Sequence, residues 1–411
     1  MSLIVMKFGG TSVGDIDRIK NAAGKVAEEI KRGHKVAVVV SAMSGVTDQL
    51  IGYCRAISPR YDRGEHDAVV STGEQVTAGL MALALHQRGL NARSWQGWQL
   101  RLLTDSSHGT ARIVDIEADA IRRRIQEGEV GVMAGFQGVT DDGRVTTLGR
   151  GGSDTSAVAL AVALQAERCD IYTDVDGVYT TDPRIVPKAK KMPRVSYEEM
   201  LELASLGAKV LQVRSVEMAM RYRMPVQVLS TFANEVGSEL PGTLVTEGDK
   251  KMESSVVTGI AYTNNEARIT LLRLSDKPGV AARVFGPLAR AGINVDMIVQ
   301  SGSENGTVAD ITFTVPKPDL DRATKVLTDE KTNIGFGNMV SSSEVTKISL
   351  VGIGMRSHAG VAATMFETLA DKGINIQVIE TSEINTSVLI ASEYTELALR
   401  ALHSAYGLDA A

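Results

Sequence analysis

The stretch from Thr146 to Leu164, TTLGRGGSDTSAVALAVAL, sets the frame for the whole chain. It opens with the turn Gly149-Arg150-Gly151-Gly152-Ser153-Asp154 and runs into Ala, Val and Leu with no breaker, which predicts a buried helix. A glycine turn feeding a helix N-terminus presents unpaired backbone N–H groups and the positive end of the helix dipole, so it suits an anion. Arg150 adds a planar fork able to hold a carboxylate at two points. A surface turn capped by Ser153 or Asp154 would show the same pattern. The rest of the chain decides between the two.

Upstream, the strand Leu3 to Phe8 (LIVMKF) leads into Gly9-Gly10-Thr11-Ser12 and then into helical spacing through Ile30. The strand Val36 to Val40 leads into Ser41-Ala42-Met43-Ser44-Gly45-Val46-Thr47 and a second helix. Continuous β-branched strands, each followed by a Gly/Ser/Thr turn and a helix, predict an α/β fold whose parallel sheet is covered on both faces. Ligands of such sheets gather at the carboxyl ends of the strands. The turns FGGTS, SAMSG and GRGGSD are therefore expected at one edge, with Lys7 pointing to where a phosphate would sit. None of them is the phosphate loop GxxxxGK[ST] or the dinucleotide motif GxGxxG. Val70 to Gln75 (VSTGEQ) reads as another strand end before a helix from Val76 to Leu85. There Glu74 could serve the helix dipole or hold a ligand ammonium. Ala204 to Lys209 (ASLGAK) reads as the opening of a further helix.

The remaining composition excludes several classes of function. The chain has 411 residues, enough for two or three domains, with 44% hydrophobic and 23% charged residues. A net charge of −5, with no basic run interleaved with aromatics, argues against nucleic acid as a partner. Cys54 and Cys169 stand far apart and the six histidines are scattered, so neither a disulfide framework, a zinc site nor a Ser-His-Asp arrangement is indicated. A direct start on a strand, without a leader or an apolar run of membrane-spanning length, predicts a cytoplasmic protein with no membrane partner.

The motifs KFGGTS, SAMSGVT, STGEQ, GRGGSDTSA and YTDVDGVYTTDPR, in this order, resemble those of the aspartate kinases of the amino-acid-kinase family. The resemblance spans essentially the whole chain. It implies an amino-acid-kinase fold, a parallel-rich sheet sandwiched by helices, over residues 1–250. It also implies transfer of the ATP γ-phosphate to the side-chain carboxylate of L-aspartate, the first step toward lysine, threonine, methionine and isoleucine. Carried over residue by residue, Lys7, Arg150 and Asp154 are the catalytic residues. Ser41, Thr47, Glu74, Arg150, Gly151, Gly152 and Ser153 would bind aspartate, with Arg150 on its α-carboxylate and Glu74 on its ammonium. Lys7, Phe8, Gly9, Gly10, Thr173, Asp174, Tyr179, Arg184 and Lys209 would bind ATP, with backbone donors from Gly9 and Gly10. Mg²⁺ is expected with the nucleotide, and no protein ligand is assigned to it. A kinase of the same fold acting on glutamate, acetylglutamate or a nucleoside monophosphate, or a silent amino-acid sensor, are the alternatives.

Beyond a polar boundary near Gly237 to Ser255 the chain repeats itself. Gly279 and Gly360 are 81 positions apart, and the same offset pairs Phe285 with Phe366 and Gly292-Ile293-Asn294 with Gly373-Ile374-Asn375. Each copy reads as strand, Gly-opened helix, strand, strand. That order resembles the α+β (ferredoxin-like) ACT domains, over 264–342 and 345–411, which implies amino-acid sensing. Asp276, Gly279, Asn294, Gln300, Asn375, Ile376, Ser382 and Glu383 are the candidate effector contacts, with lysine and threonine as effectors. Ala359 stands where the resemblance leads one to expect a helix-starting proline, and Asn385 where arginine is common. Unclosed sheet edges imply a homodimer or higher oligomer through the ACT domains. An internally initiated regulatory subunit beginning near Met252 is a further possibility.

Overall fold

The β-branched runs that open the chain form the middle of an eight-stranded sheet. The computed structural model describes residues 2–208, 210–248, 256–302, 307–353, 355, 358 and 360–409. It divides into two units: Met1–Val178, Lys191–Ala204 and Lys209–Lys251 form one, and Tyr179–Lys190, Ser205–Ala208 and Met252–Ala411 the other.

In the first unit the chain runs β1 (Leu3–Phe8), α1 (Ile16–Lys31), β2 (Lys35–Val40), α2 (Val46–Ile57), α3 (Arg63–Val70), α4 (Thr72–Gln87), β3 (Ala92–Trp95), β4 (Leu102–Thr104) and β5 (Ile113–Ile116). It continues with α5 (Asp119–Gln126), β6 (Val130–Ala134), β7 (Gln137–Val139), β8 (Val145–Thr147), α6 (Gly152–Leu164), β9 (Arg168–Thr173), β10 (Arg194–Ser196), α7 (Tyr197–Ser205), α8 (Val213–Tyr222), β11 (Val226–Ser230) and β12 (Thr243–Thr246). The large sheet has the order β10-β12-β11-β9-β1-β2-β6-β3 and is parallel except between β11 and β12. β1 is central, paired with β2 on one side and β9 on the other. Met6 and Phe8, either side of Lys7, join the core formed with α1 and α4. By alternation Lys7 points to the opposite face, the one covered by α6.

Three expectations change. Val70 to Gln75 holds no strand: α3 and α4 follow one another through a turn at Ser71. The helix pair Arg63–Gln87 is long and apolar enough to cross a membrane, with mean hydropathy 1.3 in its most apolar window, but half of that window is buried inside the fold. GRGGSD does not follow a strand of the large sheet, because β8 lies in a separate four-stranded sheet of order β5-β4-β7-β8. The turn still reaches the expected edge, since Ser153 packs where a Cβ on Gly135 would meet it at 2.9 Å, just past β6. Finally, ASLG closes α7 instead of opening a helix. Gly207 takes φ +118°, a left-handed conformation that ends the helix, and α8 starts only at Val213.

The second unit contains both repeats. It runs β13 (Gly259–Thr263), β14 (Glu266–Ser275), α9 (Val280–Arg290), β15 (Asp296–Gly302), β16 (Val308–Pro316), α10 (Leu320–Asp329), α11 (Lys331–Ile334) and β17 (Asn338–Ser342). β18 (Val345–Val351), α12 (Gly360–Asp371), β19 (Val378–Thr381), β20 (Asn385–Ala391) and α13 (Thr395–Ala405) complete it. Each repeat has a second helix, α10 or α13, and a fourth strand that the repeat pattern did not reveal. The sheets have the orders β15-β16-β14-β17 and β13-β18-β20-β19. The second sheet thus takes its fourth strand from the chain before the first repeat. The two sheets meet through Met297, Val345, Val378 and Leu389, so pairing within the chain occurs as the small size of each repeat demands.

The segment Tyr179–Lys190 packs in this second unit. His403 bonds Thr180 at 2.9 Å, the Ile260 amide donates to the Thr180 carbonyl at 2.7 Å, and Ile185, Val186 and Ala189 join the apolar core of the second repeat. Lys209, Met252 and Ala359 lie outside the described residues.

Candidate active site

Lys7 extends from β1 over the turn that follows it. Its Nζ lies 3.3 Å from where a Cβ on Gly9 would stand and 2.5 Å from Asp154 Oδ1 in the first turn of α6. Both side chains are about nine-tenths buried. Asp154 Oδ1 makes no directed hydrogen bond among the described residues, so the contact is a charge pairing. One strand-end cation and one helix-end carboxylate, 147 positions apart in sequence, thus share one point.

The Gly9 amide is already committed to the Tyr172 carbonyl at 3.1 Å, extending the pairing of β1 with β9. The Gly10 amide, by contrast, meets no acceptor among the described residues. Phe8 is fully buried and stacks on Tyr172 at 4.8 Å, so its ring belongs to the core, not the site. Gly10 also permits a close approach: a Cβ there would stand 3.1 Å from the Ala42 carbonyl. That brings the turn after β1 against the turn after β2.

Ala42 then links to Glu74. Its N–H donates to Glu74 Oε1 at 3.0 Å, and its methyl group occupies the space a Cβ on Gly73 would need, 2.7 Å away. Glu74 is 3% exposed and its Oε2 is buried with no hydrogen-bond partner among the described residues. Burial lifts its carboxyl to about 7, against the smaller opposing pull of the Ala42 amide. A buried carboxylate oxygen without a donor leaves a place for one cationic donor. Ser41 and Thr47, both half-buried, flank Ala42 in the same turn and at the start of α2.

Arg150 contrasts with its surroundings. It is exposed and makes no ion pair among the described residues, whereas Gly152, Ser153 and Asp154 beyond it are buried. Gly151 takes φ +71° and caps α6, and a Cβ there would fall 1.8 Å from Gln212 Cγ. Only glycine fits between Arg150 and that side chain.

At the end of β9, next to β1, Thr173 hydrogen-bonds Asp174 at 3.2 Å, and Asp174 is exposed. Tyr179 and Arg184 belong to the second unit. Arg184 forks onto Asp182 at 2.7 and 3.0 Å, so its guanidinium carries a carboxylate partner. In the first repeat Gln300 donates to Asp276 at 3.3 Å, and Gly279 caps α9. Asn294 and Asn375 are exposed and Ile376 is half-buried, each just before an edge strand. Ser382 shapes the turn between β19 and β20 by accepting from Asn385 at 3.1 Å, and the Glu383 carbonyl accepts from Met355.

Sequence reasoning missed Ala42 and Gln212. Each acts on a residue far away in the chain and carries no local pattern.

A model of the amino acid kinase family matches residues 2–230, and one of the ACT domain matches residues 273–330 and 348–406. The chain is 51% identical to the aspartate kinase of Pseudomonas putida over 411 residues, covering 100% of this chain and 98% of that protein. This chain belongs to the aspartate kinase family. Crystal structures of Escherichia coli aspartokinase III agree in fold. One, solved with aspartate and ADP, matches with a TM-score of 0.79 at 29% identity, covering 98% of this chain and 99% of that one. Another, solved with lysine and aspartate, matches at 0.77 and 28% with the same coverage. An aspartate kinase is a phosphotransferase. The tandem repeats are its ACT domains.

Proposed function

We propose that the enzyme transfers the γ-phosphoryl group of ATP to the side-chain carboxylate of L-aspartate, giving 4-phospho-L-aspartate at the head of lysine, threonine, methionine and isoleucine synthesis. The observation that supports this acceptor best is Glu74 Oε2, a buried acidic oxygen with no donor among the described residues. A substrate ammonium supplies that donor. Arg150, exposed and without an ion pair among the described residues, takes the α-carboxylate in a bidentate contact. A carboxyl lifted from 4.5 to about 7 stores on the order of 3 kcal/mol that an arriving cation recovers.

The chemistry asks little of acids and bases. The acceptor carboxylate is an anion at neutral pH, so no base has to activate it. The work is to bring two anions into line and offset the charge on the moving phosphoryl group. Lys7 does this, held by Asp154, with the Gly10 amide beside it. Ser41 and Thr47 line the acceptor side, and Thr173 and Asp174 the nucleotide side. Tyr179, Arg184 and Lys209 complete nucleotide binding. Mg²⁺ travels with ATP, bound mainly by phosphate oxygens and water.

The catalytic region spans 1–250 and the ACT modules 264–342 and 345–411. Lysine and threonine inhibit through the ACT modules, near the Asp276–Gln300 pair and the Ser382 turn. Ile298, Val299 and Ile379 are exposed apolar residues on the edge strands β15 and β19, which favours assembly into a homodimer or larger oligomer in the cytoplasm. The test is phosphoryl transfer from Mg-ATP with hydroxylamine trapping, offered aspartate, glutamate and acetylglutamate, with and without lysine plus threonine. Hydroxamate from aspartate alone, suppressed by the effector pair, is expected. Turnover of another acceptor, or none, would overturn the acceptor assignment, and undiminished turnover would overturn the effectors.

A further inference from the structure

Asp67 has no place in the chemistry above, yet it is fully buried and gathers more donors than any other carboxylate in the first unit's described residues. It sits on α3. Its Oδ2 accepts from the Thr147 amide at 3.0 Å, the Gly109 amide at 2.9 Å and His108 Nδ1 at 3.0 Å. Its Oδ1 accepts from the Thr147 hydroxyl at 2.7 Å and lies 3.5 Å from His66 Nδ1. A buried carboxylate is stable only when its lone pairs are met, and here four donors within 3.0 Å meet them.

Two of those four donors belong to Thr147, and the other two, Gly109 and His108, come from the loop between β4 and β5. Thr147 ends β8 and stands three residues before Arg150. Each residue between them is held as well. The Leu148 amide donates to Phe136 at 2.8 Å, and the Leu148 carbonyl accepts from Arg214 Nη1 at 2.6 Å. Arg214 also reaches the Ala111 carbonyl at 2.9 Å. Gly149 lies against the Gly109 carbonyl, 3.1 Å from where its Cβ would be, and Gly109 is itself fixed by Asp67. On the far side Gly151 rests on Gln212. The backbone around Arg150 is therefore clamped on both sides while its own guanidinium stays exposed.

We infer that Asp67 is a positioning residue for the acceptor site: by fixing Thr147 and Gly109 it sets the direction in which Arg150 leaves the turn, and so the strength of its hold on the substrate α-carboxylate. The inference rests on the assignment of Arg150 to that carboxylate. A bidentate contact depends on orientation as well as charge, and a shift of about 1 Å in a clamp residue is enough to weaken it severely. The amide oxygen of asparagine can still accept from the Thr147 and Gly109 amides while its NH₂ donates to the Thr147 hydroxyl. Asparagine is therefore the conservative variant and alanine the disruptive one.

The test compares Asp67→Ala, Asp67→Asn, Thr147→Val and Arg150→Ala in the full-length enzyme, well below each variant's melting temperature. KM for aspartate, KM for Mg-ATP and kcat are read for each. Asp67→Ala is expected to raise KM for aspartate about tenfold, with KM for Mg-ATP within twofold of the parent. Asp67→Asn should restore most of that loss, and Thr147→Val should show a smaller rise of the same kind. Should Asp67→Ala fail to fold, Thr147→Val carries the test, because it removes one donor and keeps the side-chain volume. A fall in melting temperature with both KM values unchanged, or an equal rise in both, would overturn the proposal. Arg150→Ala separates the two readings. If it raises KM for aspartate and the Asp67 and Thr147 variants do not, the positioning role alone fails; if it does not, the assignment of Arg150 fails first.

Discussion

Lys7 Nζ and Asp154 Oδ1 stand 2.5 Å apart, each on a side chain about nine-tenths buried. The pair joins the central strand of the sheet to the helix that follows the glycine turn. Burying a charged side chain is costly without an opposite charge beside it, and here the carboxylate that supplies that charge also fixes where the Lys7 side chain points.

Lys7→Met should therefore lower kcat by roughly 10²–10³-fold, the scale seen when a preorganised charge is removed from a transition state. Asp154→Asn should lower kcat too, through misplacement of Lys7. The double variant should be no worse than Lys7→Met alone, because the two act as a unit. Steady-state kinetics on the four proteins measures this directly, and additive losses would contradict it.

Glu74 makes the acceptor site sensitive to pH. Its carboxyl, lifted by burial to about 7, has to be ionised to hold an ammonium. Below pH 7 the substrate displaces a proton, so KM for aspartate should climb toward tenfold per pH unit. In Glu74→Gln, KM should be high and flat across pH 5.5–8. Stability moves the other way. The native state keeps a proton that the unfolded chain releases from about pH 4.5, so this group's contribution falls as pH rises through about 7. Glu74→Gln should accordingly melt higher than the parent at pH 8.

Gly73→Ala tests the packing beneath that carboxylate. The added Cβ would sit 2.7 Å from the Ala42 methyl, so Ala42 has to shift and loosen its amide from Glu74. KM for aspartate should rise several-fold while KM for Mg-ATP stays near the parent value. Unchanged kinetics would mean that the Ala42–Glu74 bond has no part in acceptor binding.

Between the two ACT sheets, Lys347 is buried and reaches Asp296 at 2.7 Å and Glu380 at 3.5 Å. Burial opposes the charge on Asp296, but the hydrogen bond from Lys347 holds its carboxyl below the usual range. Its stabilising effect is thus present above about pH 4 and lost as pH falls further. Lys347→Met should cost about 1–2 kcal/mol, since Asp296 is half exposed and the pair is partly screened. Faster amide hydrogen exchange in β15 and β18 at neutral pH is the expected readout.

Much of this was legible in the chain. β1 and β2 are largely apolar runs, each followed by a Gly/Ser turn and a helix, so the parallel sheet and the placement of FGGTS and SAMSG follow from local sequence. The 81-residue offset exposed both repeats. The limits came from contacts between distant residues. Nothing near Thr147 signals that it leaves a small separate sheet, and nothing near Gly9 shows that Tyr172 already takes its amide. VSTGEQ looked like a strand end because Val, Ser and Thr precede a glycine; burial of α3 and α4 against the core overrode that local preference. β13 illustrates the same limit, because its partner β18 lies beyond a whole intervening repeat.

The most direct test of the acceptor site trims the substrate and the enzyme together. β-Alanine is aspartate without the α-carboxylate, and succinate is aspartate without the ammonium. Their inhibition constants against aspartate would be measured for the parent, Arg150→Ala and Glu74→Gln. Arg150→Ala should weaken aspartate and succinate and leave β-alanine unchanged, while Glu74→Gln should weaken aspartate and β-alanine and leave succinate unchanged. Equal weakening of all three ligands by either substitution would contradict the assignment of Arg150 to the carboxylate and Glu74 to the ammonium.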